Sequence, residues 1–118
     1  HESLASIEPS ITCRLTPTEI ARLPDRQSGC IAEVKGVLEY SQSMRRFTLR
    51  SLDANGPTAN VFFFRGRRSQ FSETPDGNYP RYYDQVAAFI GHPVRIVGTA
   101  VTGQIDADVG HIAPLPAP

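Results

Sequence analysis

From Ile31 onward the chain alternates with a period of two. Ala32, Val34, Gly36 and Leu38 fall on one face and Glu33, Lys35, Val37 and Glu39 on the other, which predicts a half-buried strand. The glycine inside it is expected to mark a bulge or a tight bend. After a turn over Ser41–Met44, a second strand directs Phe47 and Leu49 inward and Arg46, Thr48 and Arg50 outward. A third, over Thr58–Arg65, alternates Val61 and Phe63 against Phe62 and Phe64. Asn55-Gly56 between them is the strongest short hairpin signal a sequence offers, so a tight turn is predicted there. Val94–Val101 reads as a fourth strand with Gly98 inside it, and Thr102-Gly103 turns into a fifth over Gln104–Ile112.

Helical spacing occurs twice. Thr16-Pro17-Thr18-Glu19 is a helix start, with Thr16 as N-cap, Pro17 at the first helical position and Glu19 reaching back as the capping-box partner. Ile20 and Leu23 give this helix an apolar edge, and Pro24 stops it. The second helix is predicted over Tyr82–Ile90, where Tyr82, Val86, Phe89 and Ile90 share a face and Gly91 serves as the C-cap. Between the elements, His1–Ser10 reads as a loose leader, Ile11–Arg14 as a short strand or extended segment and Asp25–Gly29 as a loop. Gly66–Arg81 is a long polar loop rich in turn residues, of a length that tends to be functional or mobile.

The order β-β-β-α-β-β behind a short leading helix predicts an all-β fold, a five-stranded Greek-key barrel whose interior glycines let the strands coil enough to close. The expected organisation is a leader with a short helix over residues 1–29, a barrel over 30–115 and a Pro-rich tail over 116–118. At 118 residues and 12.9 kDa the chain fits one domain able to bury a real core. No apolar run approaches the roughly 18 residues of a membrane helix, so no membrane partner is expected. No signal-peptide pattern is visible, and a cytoplasmic or nucleoid-associated location is favoured over a periplasmic or secreted one.

Charge changes this picture locally. The formal net charge is zero, yet Arg45–Arg68 holds six arginines against one acid, Asp53. The basic set is almost entirely arginine, which forks onto phosphates and stacks on bases where lysine acts as a point charge. Cys13 and Cys30 lack the spacing of a zinc site, and the three histidines are scattered. The two cysteines read as free, partly buried thiols, or as a disulfide in an oxidising compartment; the sequence does not decide between them.

Several of these residues resemble a known family. Val34-x-Gly36-x-Leu38, Phe47-Thr48-Leu49, Leu52-Asp53-x-x-Gly56 and Val61-Phe62 resemble the first half of a nucleic-acid-binding OB-fold domain. Gly91-x-Pro93-Val94-x-Ile96-x-Gly98, Ile105-x-Ala107 and Ile112 resemble its second half. The likeness covers Cys30–Leu115 and is to the OB domains of anticodon-binding modules, replicative polymerase subunits and single-strand-binding proteins. The neutral net charge departs from a strand-coating role. The long loop and the added N-terminal helix point to a specialised partner.

The resemblance implies a binding surface on the open face of the second and third strands, where cations track a backbone and aromatic rings stack on bases at roughly 1–3 kcal/mol each. The candidate nucleic-acid-binding residues are Tyr40, Arg45, Arg46, Thr48, Arg50, Phe62, Phe64, Arg65, Arg67, Arg68, Tyr79 and Arg81. For Phe62 and Phe64, core packing competes evenly with a binding role. Asp106 and Asp108 form an i, i+2 pair, read as a solvated face that keeps a sheet edge soluble. No catalytic triad, metal set or cofactor motif is visible, so the expected function is non-enzymatic binding of single-stranded DNA or RNA, in replication or repair. The competing expectation is an OB-fold adaptor for protein–protein assembly, a homo-oligomer or a subunit of a DNA-maintenance or secretion complex, docking through Val37, Val97 and Phe62. A third is a small periplasmic or secreted OB protein, for which a Cys13–Cys30 disulfide is the discriminating sign.

Overall fold

The structure is a computed structural model that describes residues 8–24, 29–64 and 82–116. In chain order these form β1 (Cys13–Leu15), α1 (Pro17–Ala21), β2 (Cys30–Ser41), β3 (Arg46–Arg50), β4 (Ala59–Phe64), α2 (Tyr83–Val86), β5 (Pro93–Val101), β6 (Gln104–Asp108) and β7 (Ile112–Pro114). A 3-10 turn over Ala87–Phe89 follows α2, and another over Val109–His111 precedes β7. Strands β2, β3, β4, β6 and β5 pair in that order, and β5 pairs back onto β2. The result is a mostly β protein with a closed five-stranded barrel, compatible with an OB-like fold.

The long strand β2 makes closure work. Its residues Cys30–Val37 pair with β5 and Val37–Ser41 with β3, so one 12-residue strand serves both neighbours of the barrel. Where β3 leaves, β1 takes over the vacated edge of β2 in parallel, Cys13–Leu15 against Ala32–Val34. On β5 the same substitution occurs: β6 pairs with Thr99–Val101 and β7 with Val94–Ile96 on the same side. Two three-residue strands thus cover backbone edges that a bare five-stranded barrel would leave open.

Inside lie the positions the alternation predicted: Ala32, Val34, Leu38, Phe47, Leu49, Val61 and Phe63, joined by Val94, Ile96, Ala100, Ile105 and Ala107. Gly36 occupies an inward position for a reason other than a bulge. A Cβ there would meet Arg50 O at 2.5 Å and Leu49 Cγ at 2.9 Å, so the strand needs glycine because β3 crosses so closely.

Each end of the barrel is plugged. At one, α1 inserts fully buried Ile20 beside buried Pro17. The expected capping box is present in both directions: Glu19 N–H donates to Thr16 Oγ1 at 3.1 Å and Thr16 N–H to Glu19 Oε1 at 2.8 Å. At the other end, Tyr40, Phe47, Phe63 and Tyr83 form a ring cluster with centroids 5.0–5.8 Å apart, and Val86 is buried alongside in the core. The predicted Tyr82–Ile90 helix is shorter than its spacing implied: only Tyr83–Val86 is α-helical, and Gly91 follows the 3-10 turn with φ of 86°. Tyr82, at φ 71°, starts it without a side-chain cap.

Two further expectations are corrected. Strands β3 and β4 do pair, but the link between them is residues 51–58, not a two-residue turn at Asn55-Gly56. Local bonds override the dipeptide signal: Ala54 N–H donates to Ser51 O, and Asn55 N–H to Asp53 Oδ1. The Thr18 hydroxyl lies 3.0 Å from both Ser51 Oγ and Asn55 O, tying this loop to α1. Second, the fifth strand, expected to run to Ile112, ends at Asp108, and Ile112–Pro114 turn back as β7. The question the sequence left open is also answered: Cys13 and Cys30 form a disulfide that fastens β1 to the start of β2.

Of the expected leader, residues 1–7 lie outside the described residues. Glu8 is held by both guanidinium nitrogens of Arg95, at 3.0 and 3.1 Å. Arg95 Nε also donates to Glu33 Oε2 at 2.6 Å, and Arg14 Nε to Glu33 Oε1 at 2.9 Å. Hydrogen bonds from these guanidiniums hold the Glu8 and Glu33 carboxyls below the ordinary range and keep Arg95 charged. Residues 8–24 are therefore strapped to the barrel by a disulfide, an ion-pair network and a buried isoleucine.

Candidate functional site

The predicted binding face is assembled by strand register. On the outside of β2 and β3, Ser41 is opposite Arg46, Glu39 opposite Thr48 and Val37 opposite Arg50. Thr48 continues to Asn60 on β4, and Phe62 and Phe64 lie opposite Asp106 and Asp108 on β6. Arg46, Thr48, Arg50, Phe62 and Phe64 thus share one sheet face.

Their environments differ. Arg46 is exposed, at the end of a turn in which Arg45 takes φ of 55° and donates its N–H to Ser41 O. Arg50 is half-buried and donates from Nε to Glu39 Oε2 at 3.0 Å, so part of the face's positive charge is already answered. Phe62 and Phe64 are half-buried. Tyr40 points to the inner side, its ring edge-on to Phe47 and Tyr83, so it closes the barrel end. Arg65, Arg67, Arg68, Tyr79 and Arg81 lie outside the described residues.

The two carboxylates beside the phenylalanines overturn another expectation. Asp106 and Asp108 are only 2% and 5% exposed, not a solvated edge. Asp106 Oδ1 accepts from Gln104 Nε2 at 2.6 Å, and Asp108 Oδ1 accepts from Gly110 N–H at 2.8 Å, capping the 3-10 turn. Val97, expected as an exposed apolar contact, is fully buried, and Val37 is half-buried. Among the described residues, the large apolar side chains that are exposed are Met44, in the β2–β3 turn, and Leu52, in the β3–β4 loop.

A second concavity was not anticipated. In the gap between the end of β1 and the end of β3, beneath α1 and the 51–58 loop, lies a cleft of about 710 Å³. Leu15, Pro17 and Leu52 contribute its apolar surface and Arg14, Arg22 and Lys35 its cations. A smaller hollow of about 400 Å³ lies at the other end, where Tyr40 and Thr48 meet Ile90 and Gly91. The larger cleft brings together residues from Arg14 to Gly56, so no local motif announces it. Leu52, apolar beside Asp53 and Gly56 in a predicted turn, was the one available sign. Among the described residues no group of three His, Cys, Asp or Glu side chains is arranged to hold a metal.

Comparison of the chain with protein-family models, with curated proteins and with solved structures yields no match.

Proposed function

We propose that this protein is a non-enzymatic OB-like binding module, of Greek-key connection, that works in an oxidising compartment and docks a polypeptide partner on the outer face of β3 and β4. The Cys13–Cys30 disulfide supports the compartment, because such bonds persist outside the reducing cytosol. The observation that carries the choice of ligand class is the neutralised face. Glu39 pairs with Arg50, and the buried carboxylates of Asp106 and Asp108 lie opposite Phe62 and Phe64, so the strand face offers a polyanion little net positive charge. A polypeptide tolerates mixed charge beside half-buried rings, as protein interfaces commonly do.

Single-stranded nucleic acid is the second reading. Arg46, exposed on the same face as Thr48 and next to the Arg45 turn, favours it. One experiment separates the two. A photo-crosslinking residue placed at position 46 and, as control, at exposed Ala113 on β7 is irradiated in the producing cell. A protease-sensitive, nuclease-resistant adduct at 46 alone is the expected result. A nuclease-sensitive adduct supports the nucleic-acid reading, and equal adducts at both positions count against any site on this face.

A further inference from the structure

The cleft beneath α1 carries charges of both signs. Three bases and three acids line it: Arg14, Arg22 and Lys35 against Glu19, Glu33 and Asp53. All three acids are engaged. Glu19 closes the capping box, Glu33 divides its oxygens between Arg14 and Arg95, and Asp53 accepts from the Asn55 amide. Among the described residues, Arg22 and Lys35 have no ion-pair partner. Glu19 and Asp53 accept from neutral amides and keep their charge, so the cleft has no net positive charge; what it offers an anion is Arg22 and Lys35, both exposed.

The apolar wall supplies the rest of a ligand site. Leu52 is 51% exposed at the lip, facing a cleft shared with Leu15 and buried Pro17. A volume of about 710 Å³ lies within the roughly 300–1,000 Å³ of small-molecule sites, which combine apolar walls with a few polar anchors. The walls are also held. The capping box fixes α1, the Thr18 hydroxyl fixes the loop that carries Leu52, and the disulfide fixes β1. A ligand entering here meets a largely formed surface, which lowers the ordering cost of binding.

We propose that this cleft binds an organic anion of small-molecule size. Its apolar body lies against Leu15, Pro17 and Leu52, and its carboxylate or phosphate group is held by Lys35 and Arg22. The proposal is independent of the reading of the sheet face, since no residue of that face lines the cleft.

Decanoate, decyl phosphate and decyltrimethylammonium, titrated separately and followed by amide chemical shifts, test it. Saturable shifts centred on Leu15, Leu52 and Gly56 with either anion support the proposal, and the better anion identifies the head group. The cation is expected to bind about tenfold more weakly, and the doubly substituted Arg22→Gln, Lys35→Gln protein to lose about the same factor for the anions, two surface charges together contributing that much. Leu52→Glu, a change at an exposed position that leaves the core intact, should abolish saturation. Equal affinity for anion and cation, unchanged affinity in the double variant, shifts centred elsewhere, or no binding would each overturn it.

Discussion

The two ends of the barrel are closed by different physics. At the α1 end the plug is local: nine consecutive residues, Thr16–Pro24, contain the cap, the inserted isoleucine and the stop, and a disulfide and the Thr18 hydroxyl hold it. At the other end four rings from β2, β3, β4 and α2 meet only once the sheet has formed. A five-residue helix has little stability alone, since helix nucleation is costly. Its end of the barrel therefore relies on cap and crosslink, whereas the aromatic end relies on burial.

Substitution should separate these contributions. The largest effect is expected from Phe47→Ala, which removes the ring shared by three aromatic contacts and should cost about 3–5 kcal/mol in urea unfolding. A loss below about 1 kcal/mol would show that the rings do not plug the barrel. At the opposite end, Cys13→Ser with Cys30→Ser should cost about 3 kcal/mol, the chain-entropy value for a separation of 17 residues. Thr16→Ala should cost about 1 kcal/mol, with no change in the ring cluster's near-ultraviolet signal.

The smallest effect concerns pH. Glu8 and Glu33 have folded pKa values below their unfolded ones. Their contribution is thus complete above the unfolded value and is lost as pH falls through the folded values. Both are surface pairs, so the loss should be about 1 kcal/mol or less. Arg95→Gln should flatten this acid limb of the stability curve, and once pH lies below the folded values the variant and parent should converge. A difference that persists at that acidity would mean that Arg95 acts through packing.

What could be read in advance follows the same division. The capping box and the inward sets of β2, β3 and β4 were legible, because each depends on residues close together in sequence. The long link between β3 and β4 was not: bonds within the loop displace the Asn-Gly hairpin, and Thr18, 37 residues from Asn55, holds that loop in place. Nor was the burial of Asp106 and Asp108, whose i, i+2 spacing looks the same on a wet face as on a covered one. Of the candidate site, the sharing of one face by Arg46, Thr48, Arg50, Phe62 and Phe64 followed from alternation. The Glu39–Arg50 pair also lay in the pattern, since a hairpin sets them on neighbouring strands. The cleft was hidden because it depends on where β1 ends against β2, a register that a three-residue strand does not encode.

Counting thiols shows whether the N-terminal cap is covalently fastened, as the proposed oxidising compartment requires. Alkylation of the unfolded protein without reductant, after purification from the producing cell, followed by intact mass measurement, gives the answer. No added alkyl group is expected without reductant, and two after reduction. Two alkyl groups without reductant would contradict the covalent fastening.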